Sequence, residues 1–174
     1  SDIVVGHPEW STKDWKHPDF VDLTWSHGPA QLGYGEGDEA TKLPFGPDAS
    51  HKWITAYFRH HFTLANVKGI TAATLQVRRD DGAILYLNGR EVARQSIAQG
   101  VATATTVAEN ASDDGQGFNP AVLDPSMLRD GENVLAVEVH QSGPGSSDLS
   151  FDLELGLTRS GGSAGEQPVV SSNT

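Results

Sequence analysis

Cysteine is absent from the 174 residues. That removes disulfides, thiol nucleophiles, thiolate zinc sites and iron–sulfur clusters together, and it leaves the redox compartment unread. Long apolar runs are missing as well. The best stretch, Ala121 to Val139, is broken by Asp124, Pro125, Arg129, Asp130, Glu132 and Asn133, so nothing reaches the roughly 18–20 apolar residues of a membrane span. Positive charge is scarce: 12 Lys and Arg against 23 Asp and Glu leave a formal net charge of −11. Such a chain repels a phosphate backbone, and no cationic cluster exceeds Arg78-Arg79, so a nucleic-acid partner is excluded. There is no H-E-x-x-H helix and no phosphate loop. The G-x-S-x-G string from Gly161 to Gly165 lies in a Gly/Ser-rich tail without the strand-to-helix elbow that exposes a nucleophile. A carboxylate pair for glycoside hydrolysis has no fixed spacing, so sequence alone leaves that chemistry open.

What is present describes one domain, long enough to bury a core without staples. Helical periodicity is almost absent, while short alternating runs recur between Gly, Asp, Asn and Pro. The expected class is all-β. In Trp53 to Leu64, Ile54, Ala56, Phe58, His60, Phe62 and Leu64 share the expected core face, and Trp53, Thr55, Tyr57, Arg59, His61 and Thr63 share the other. Thr74 to Val92 reads strand, Asp-Asp-Gly, strand, Asn88-Gly89, strand, with a hairpin at Asn-Gly because both residues tolerate positive φ. Two long strands follow, Asn133 to His140 and Asp148 to Leu157, each expected to keep one wet face. Leu149, Phe151, Leu153 and Leu155 point inward in the second. One-sided strands without covering helices pack sheet on sheet, so a β-sandwich is expected. Pro125 to Arg129 is the one helical turn expected, capped by Asp124. The chain opens at Ser1 without a leader, and Arg159 to Thr174 has a tether's composition. The expected division is a sandwich over 1–158 and a flexible tail over 159–174, with a covalently linked catalytic domain beyond it.

Four stretches carry a family resemblance. Trp15 to Phe20 with Asp22 to Trp25 resembles the opening of the sugar-binding domain of β-galactosidases. Gly28 to Thr41 resembles the following segment in modules attached to metallophosphoesterases and spore-coat-kinase-like proteins. Arg79 to Val92 (RDDGAILYLNGREV) and Gly131 to Gln141 (GENVLAVEVHQ) resemble the hairpin and long strand of the same galactose-binding-like domains. The resemblance implies a jelly-roll β-sandwich and a non-catalytic carbohydrate-binding or adhesion module, monomeric, in a secreted bacterial multidomain protein. A structural spacer, or a small polysaccharide-active enzyme, fits the same fold.

The candidate site residues follow from chemistry and from that resemblance. Asp80-Asp81 resembles the adjacent aspartates of calcium-dependent adhesin lectins, which implies one Ca²⁺ bridging to sugar hydroxyls. Neighbouring strand residues face opposite ways, so both carboxylates reach one ion only across a kink, bulge or cis peptide. Asp-Asp-Gly is equally a turn sequence in which Gly82 takes positive φ. Glu36, Asp38, Glu39, Asp113 and Asp114 offer further oxygens, as cages or as solvated loops. Trp53 and Tyr57 are candidates for stacking a pyranose ring, or else pack under a loop, and Trp15, Phe20 and Trp25 read as core. Arg79, His140 and Asp148 complete the candidate ligand-binding set, with His140 continuing the face of Glu138 and Gln141 beside it. A lone His at a strand end also serves simply to hold a loop carbonyl. His60-His61 cannot chelate one metal from opposite faces. Asn110-Ala-Ser112 is a glycosylation sequon in a loop.

Overall fold

The computed structural model describes residues 3–6, 14–111 and 113–160. Eleven strands are present: β1 (Ile3–Gly6), β2 (Ser26–Gly28), β3 (Leu32–Tyr34), β4 (Thr41–Lys42), β5 (Thr55–Leu64), β6 (Ile70–Arg79), β7 (Gly82–Leu87), β8 (Arg90–Gln95), β9 (Asn119–Leu123), β10 (Gly131–His140) and β11 (Leu149–Arg159). They form a six-stranded sheet, β2-β1-β5-β10-β7-β8, facing a five-stranded sheet, β4-β3-β11-β6-β9. All pairings are antiparallel except β3 with β4. From β5 onward the chain crosses between sheets repeatedly. The late strand β10 lies between β5 and β7, and β11 lies between β3 and β6, the interleaved winding of a jelly-roll sandwich.

Local chemistry accounts for the turns. The β7–β8 hairpin turns at Asn88 and Gly89, with φ of 51° and 86°, as both mirror-image turn positions require. The Asn88 side chain also accepts from Val134 N at 3.0 Å and donates to Asn133 Oδ1 at 3.0 Å, tying the turn to β10. Pro125–Met127 is a 3-10 turn, and Asp124 Oδ1 caps Ser126 N at 2.9 Å. Between the sheets lies a largely apolar core from both inner faces, with Phe58 against Phe151 at 4.3 Å between ring centroids and His60 stacked on Phe62 at 6.2 Å. β11 alternates as its sequence predicts, with Leu149, Phe151, Leu153 and Leu155 buried.

Two expectations are corrected, for β10 and for Asp-Asp-Gly, and a third point concerns β5. β10 is buried on both faces from Asn133 to His140, because it is a central strand and residues 14–25 cover its outer face with β5 and β7. The outer face of β5 is buried at Tyr57 and Arg59, the packed alternative of the two readings given for Tyr57. Asp-Asp-Gly is not a turn within one sheet: Asp80 and Asp81 form the crossing from β6 to β7, and Gly82 does not take positive φ. Gly82 answers to space instead. A Cβ there would meet Ala108 Cβ at 2.7 Å and Ile97 Cγ1 at 2.8 Å. Arg159 ends β11, so the strand runs into the segment expected to be the tether, whose residues 161–174, with the G-x-S-x-G string, lie outside the described residues, as does Ser112 of the sequon.

Candidate functional site

The outer face of the six-stranded sheet carries a second, smaller core of Trp15, Trp25, Tyr57, Ile84, Tyr86, Ile97, Ala108 and Ala136. Its cover, the opening segment 14–25, has no strand register to hold it. A buried arginine does so instead. Arg59, 1% exposed, donates Nε to Asp22 Oδ2 at 2.8 Å, Nη1 to the carbonyls of Trp15 and, at 3.1 Å, of His17, and Nη2 to the carbonyl of Phe20 at 3.4 Å. His61 Nε2 meets the same Asp22 oxygen at 2.9 Å. Burial raises the Asp22 carboxyl, but hydrogen bonds from Arg59 and His61 and their charges outweigh it and hold the group below the ordinary carboxylate range.

This clasp stands Trp15 beside a row of outer-face side chains. Tyr57 on β5 and Glu138 on β10 are cross-strand neighbours, and Tyr86 on β7 pairs with Ala136 two residues away from Glu138. Trp15 meets the Tyr57 and Tyr86 rings edge-on at 4.8 and 5.8 Å. Opposite them, Arg94 on β8 pins the following loop: Nε and Nη2 hold Glu91 at 2.9 Å each, Nη1 reaches the Ala98 carbonyl at 2.8 Å, and Nη2 the Gly100 carbonyl at 3.1 Å. The loop continues to Ala104, whose carbonyl accepts from Thr55 Oγ1 at 3.0 Å. The result is a cavity of about 420 Å³ with Trp15, Tyr57 and Tyr86 for walls, Glu138 in its lining, and Lys16, Arg94 and residues 100–104 around it. Val101 stands 95% exposed on that loop.

Glu138 is a charge nearly out of water, its side chain 7% exposed. Tyr86 donates to Oε1 at 2.6 Å, and His140 Nε2 lies 3.3 Å from Oε2. Burial pushes the carboxyl up, yet the hydrogen bonds from His140 and Tyr86, with Lys16 nearby, leave it below the ordinary range. His140 Nδ1 in turn reaches the Thr106 carbonyl at 2.7 Å. His140 thus holds a loop carbonyl, one of the two roles its sequence position allowed, and its other ring nitrogen stands 3.3 Å from Glu138 Oε2.

The other residues singled out by sequence gather at the same end of the sandwich but outside this cavity. Trp53 precedes β5, donates its N–H to the Phe45 carbonyl at 2.9 Å, and accepts from Gln141 Nε2 at 3.1 Å. It does not share a binding face with Tyr57. Arg79, with its side chain 6% exposed, is a strut: Nη1 lies 3.0 Å from Asp113 Oδ1, and Asn119 holds the other Asp113 oxygen at 2.9 Å. The Asp80–Asp81 peptide is cis. Asp81 accepts from Ala111 N at 3.2 Å and Ser142 N at 2.6 Å, joining two loops. Asp80 is pushed up to about 7, first by burial and then by the charges of Asp81, Asp148 and Asp114, against the pull of Arg79. Asp148 accepts from Ser147 Oγ at 2.7 Å, and the Asp148 carboxylate beside Glu36 raises the Glu36 carboxyl.

Calcium takes six to eight oxygens around one point. Among the described residues no three His, Asp or Glu side chains are placed to hold a metal ion, and both Asp81 oxygens already accept loop N–H groups. Of the residues singled out in the sequence as ligand-binding, Tyr57 lines the cavity and His140 stands behind Glu138, while Trp15, Lys16, Tyr86, Arg94 and Glu138, which also line it, were not singled out. The signal for Glu138 was visible in NVLAVEVH, where one carboxylate interrupts a run that is otherwise apolar between Asn133 and His140.

No family model matches the chain, and no curated protein matches it. Solved structures do. A β-glucuronidase from glycoside hydrolase family 2 is 22% identical over 80% of this chain with a TM-score of 0.50. A family 2 glycosyl hydrolase from Bacteroides cellulosilyticus DSM 14838 is 16% identical over 91%, TM-score 0.55. β-Glucuronidase 2 of Bacteroides uniformis is 16% identical over 87%, TM-score 0.53. The chain spans 13%, 20% and 17% of those three proteins, and at these identities what it shares with a part of each is the fold, an all-β two-sheet sandwich.

Proposed function

We propose that this chain is a non-catalytic carbohydrate-binding module of a secreted bacterial multidomain protein, built on a galactose-binding-like jelly roll, and that it binds glycan in the Trp15–Tyr57–Tyr86–Glu138 cavity. The cavity carries the reading. Trp15, Tyr57 and Tyr86 line it with little exposed area, 3%, 2% and 8%, so a pyranose would meet their rims while the Glu138 carboxylate accepts from its hydroxyls. The family 2 glycoside hydrolases among the structural neighbours support a carbohydrate setting. Non-catalytic action is favoured because both lining carboxylates are engaged, Glu91 by the Arg94 guanidinium and Glu138 by the Tyr86 hydroxyl, whereas glycoside hydrolysis needs a pair free to act as acid and as nucleophile or base. A shallow polar site gives weak affinity, so a linked catalytic domain would supply the effective concentration.

A second reading, a spacer packed on a neighbouring domain without sugar binding, is favoured by Val21 and Leu23, 70% and 89% exposed on the opening segment. Retention of the chain on a polysaccharide and glycan array, in millimolar calcium and in chelator, separates the two. The pocket reading expects retention in both buffers and its loss in Tyr57→Ala. Retention abolished by chelator moves the site to Asp80 and Asp81. No retention in either buffer leaves the spacer.

A further inference from the structure

The cavity contains its own trial ligand. The Lys16 ammonium lies 5.4 Å from the Tyr86 ring centroid and 5.8 Å from that of Trp15, within the distance at which a cation is attracted to an aromatic face. It is also one of the charges that keep Glu138 ionised. The hold on Lys16 is slight: its side chain is 33% exposed, and Asp14 stands 3.9 Å away. Arg94 cannot play this part, since Glu91 and two loop carbonyls occupy its guanidinium. The pocket thus sets a lysine ammonium over two aromatic rings in a lining that also holds the buried Glu138 carboxylate, and that lysine sits on the segment that covers the sheet. The net charge of −11 adds a field that draws cations and turns anions away.

We propose that the Trp15–Tyr86–Glu138 pocket selects glycans bearing a protonated amine, an unacetylated hexosamine, whose ammonium takes the place held by Lys16. The inference rests on the glycan-binding reading and names its ligand class. N-acetylation removes the charge and adds bulk at the one atom the carboxylate and ring faces recognise. A uronate brings a second carboxylate toward Glu138.

The test is calorimetric titration of the chain with a glucosamine tetrasaccharide, its fully N-acetylated counterpart and a glucuronate-containing oligosaccharide. The free amine is expected to bind about tenfold more tightly than the acetylated form, the scale of one desolvated cation–π contact. Glu138→Gln abolishes that preference. Lys16→Met, which removes the internal competitor and leaves Glu138 in place, tightens the amine severalfold and so keeps the test alive if Glu138→Gln fails to fold. Equal binding of the amine and acetylated forms, or an amine affinity unchanged or weakened in Lys16→Met, overturns the selectivity while the glycan reading stands. Binding of acetyl-lysine amide with the same Glu138 dependence but of no oligosaccharide assigns the pocket to peptide lysines and overturns both. Binding of nothing also overturns both.

Discussion

On its inner face the six-stranded sheet presents Phe58, Phe62, Leu85, Leu87, Leu135, Val137 and Val139 to the opposing sheet. On its outer face the alternate residues of the same strands, Tyr57, Arg59, Ile84, Tyr86, Ala136, Glu138 and His140, meet the opening segment and the loop after β8. The inner cover is a second sheet, and its contacts are apolar and non-directional. The outer cover is a stretch without strand pairing, and it is fixed by directed bonds from Arg59 and Arg94. A layer made by hydrophobic burial has nothing left to offer a ligand. A layer made by buried polar groups and aromatic edges leaves an opening in which those groups face a cavity, so stability and recognition occupy opposite sides of one sheet.

The comparison is broken most forcefully from the inner side. Phe151→Ala removes the ring packed at a tilt against Phe58, 4.3 Å between centroids, and should cost about 3–5 kcal/mol, read as a lowered urea midpoint with pocket and sandwich lost together. Arg59→Ala is expected to cost less, about 3 kcal/mol, since it strands a partly solvated Asp22 and frees three carbonyls. Its signature differs. The opening segment should detach while the sandwich persists, seen as a red-shifted Trp emission and lost ligand binding below the main unfolding transition. A single coincident transition in Arg59→Ala would mean that the two layers are one cooperative unit.

The inner layer was legible in the sequence because period-two alternation is a local property: Leu149, Phe151, Leu153 and Leu155 declare one face of β11 without reference to any other strand. The Asn88-Gly89 hairpin was legible for the same reason, since positive φ at both residues is a demand that two side chains answer. The outer layer was not. Tyr57 and Arg59 read as a wet face because their cover, residues 14–25, carries no periodicity and is placed by hydrogen bonds to carbonyls, which any residue supplies. Of the cavity lining, Tyr57 was singled out by residue type, whereas Trp15 and Tyr86 join it only through strand register and the Arg59 clasp. Trp53 shows the converse: two residues of alternation put it on Tyr57's face, but β5 begins only at Thr55.

A smaller effect sharpens the contrast at the loop end. Asp80 has its folded-state pKa raised from 3.8 to about 7. Between those values the folded chain binds the proton that the unfolded chain has released, so stability is full below pH 4 and falls as pH rises through 7. Asp80→Asn, a stand-in for the protonated acid, should leave stability unchanged at pH 3 and raise it by about 2 kcal/mol at pH 8. Denaturation at the two pH values checks this, and a variant destabilised at pH 8 would show that the ionised carboxylate is held by a favourable partner.

Asp22 is expected to give the smallest change and the opposite sign. Its carboxyl is held below the ordinary range by Arg59 and His61 against the pull of burial, so its contribution is present above the unfolded value near 3.8 and is lost as pH falls through the lowered folded value. Only the outer layer depends on it. Hydrogen exchange of the opening segment should therefore accelerate at the acid end while the amides of β6 and β11 keep their protection. Asp22→Asn should show the faster exchange at neutral pH and little further change on acidification. If acid releases β11 amides in step with residues 14–25, the directed clasp and the apolar core do not fail separately, and the division between a stabilising and a recognising face of the sheet is wrong.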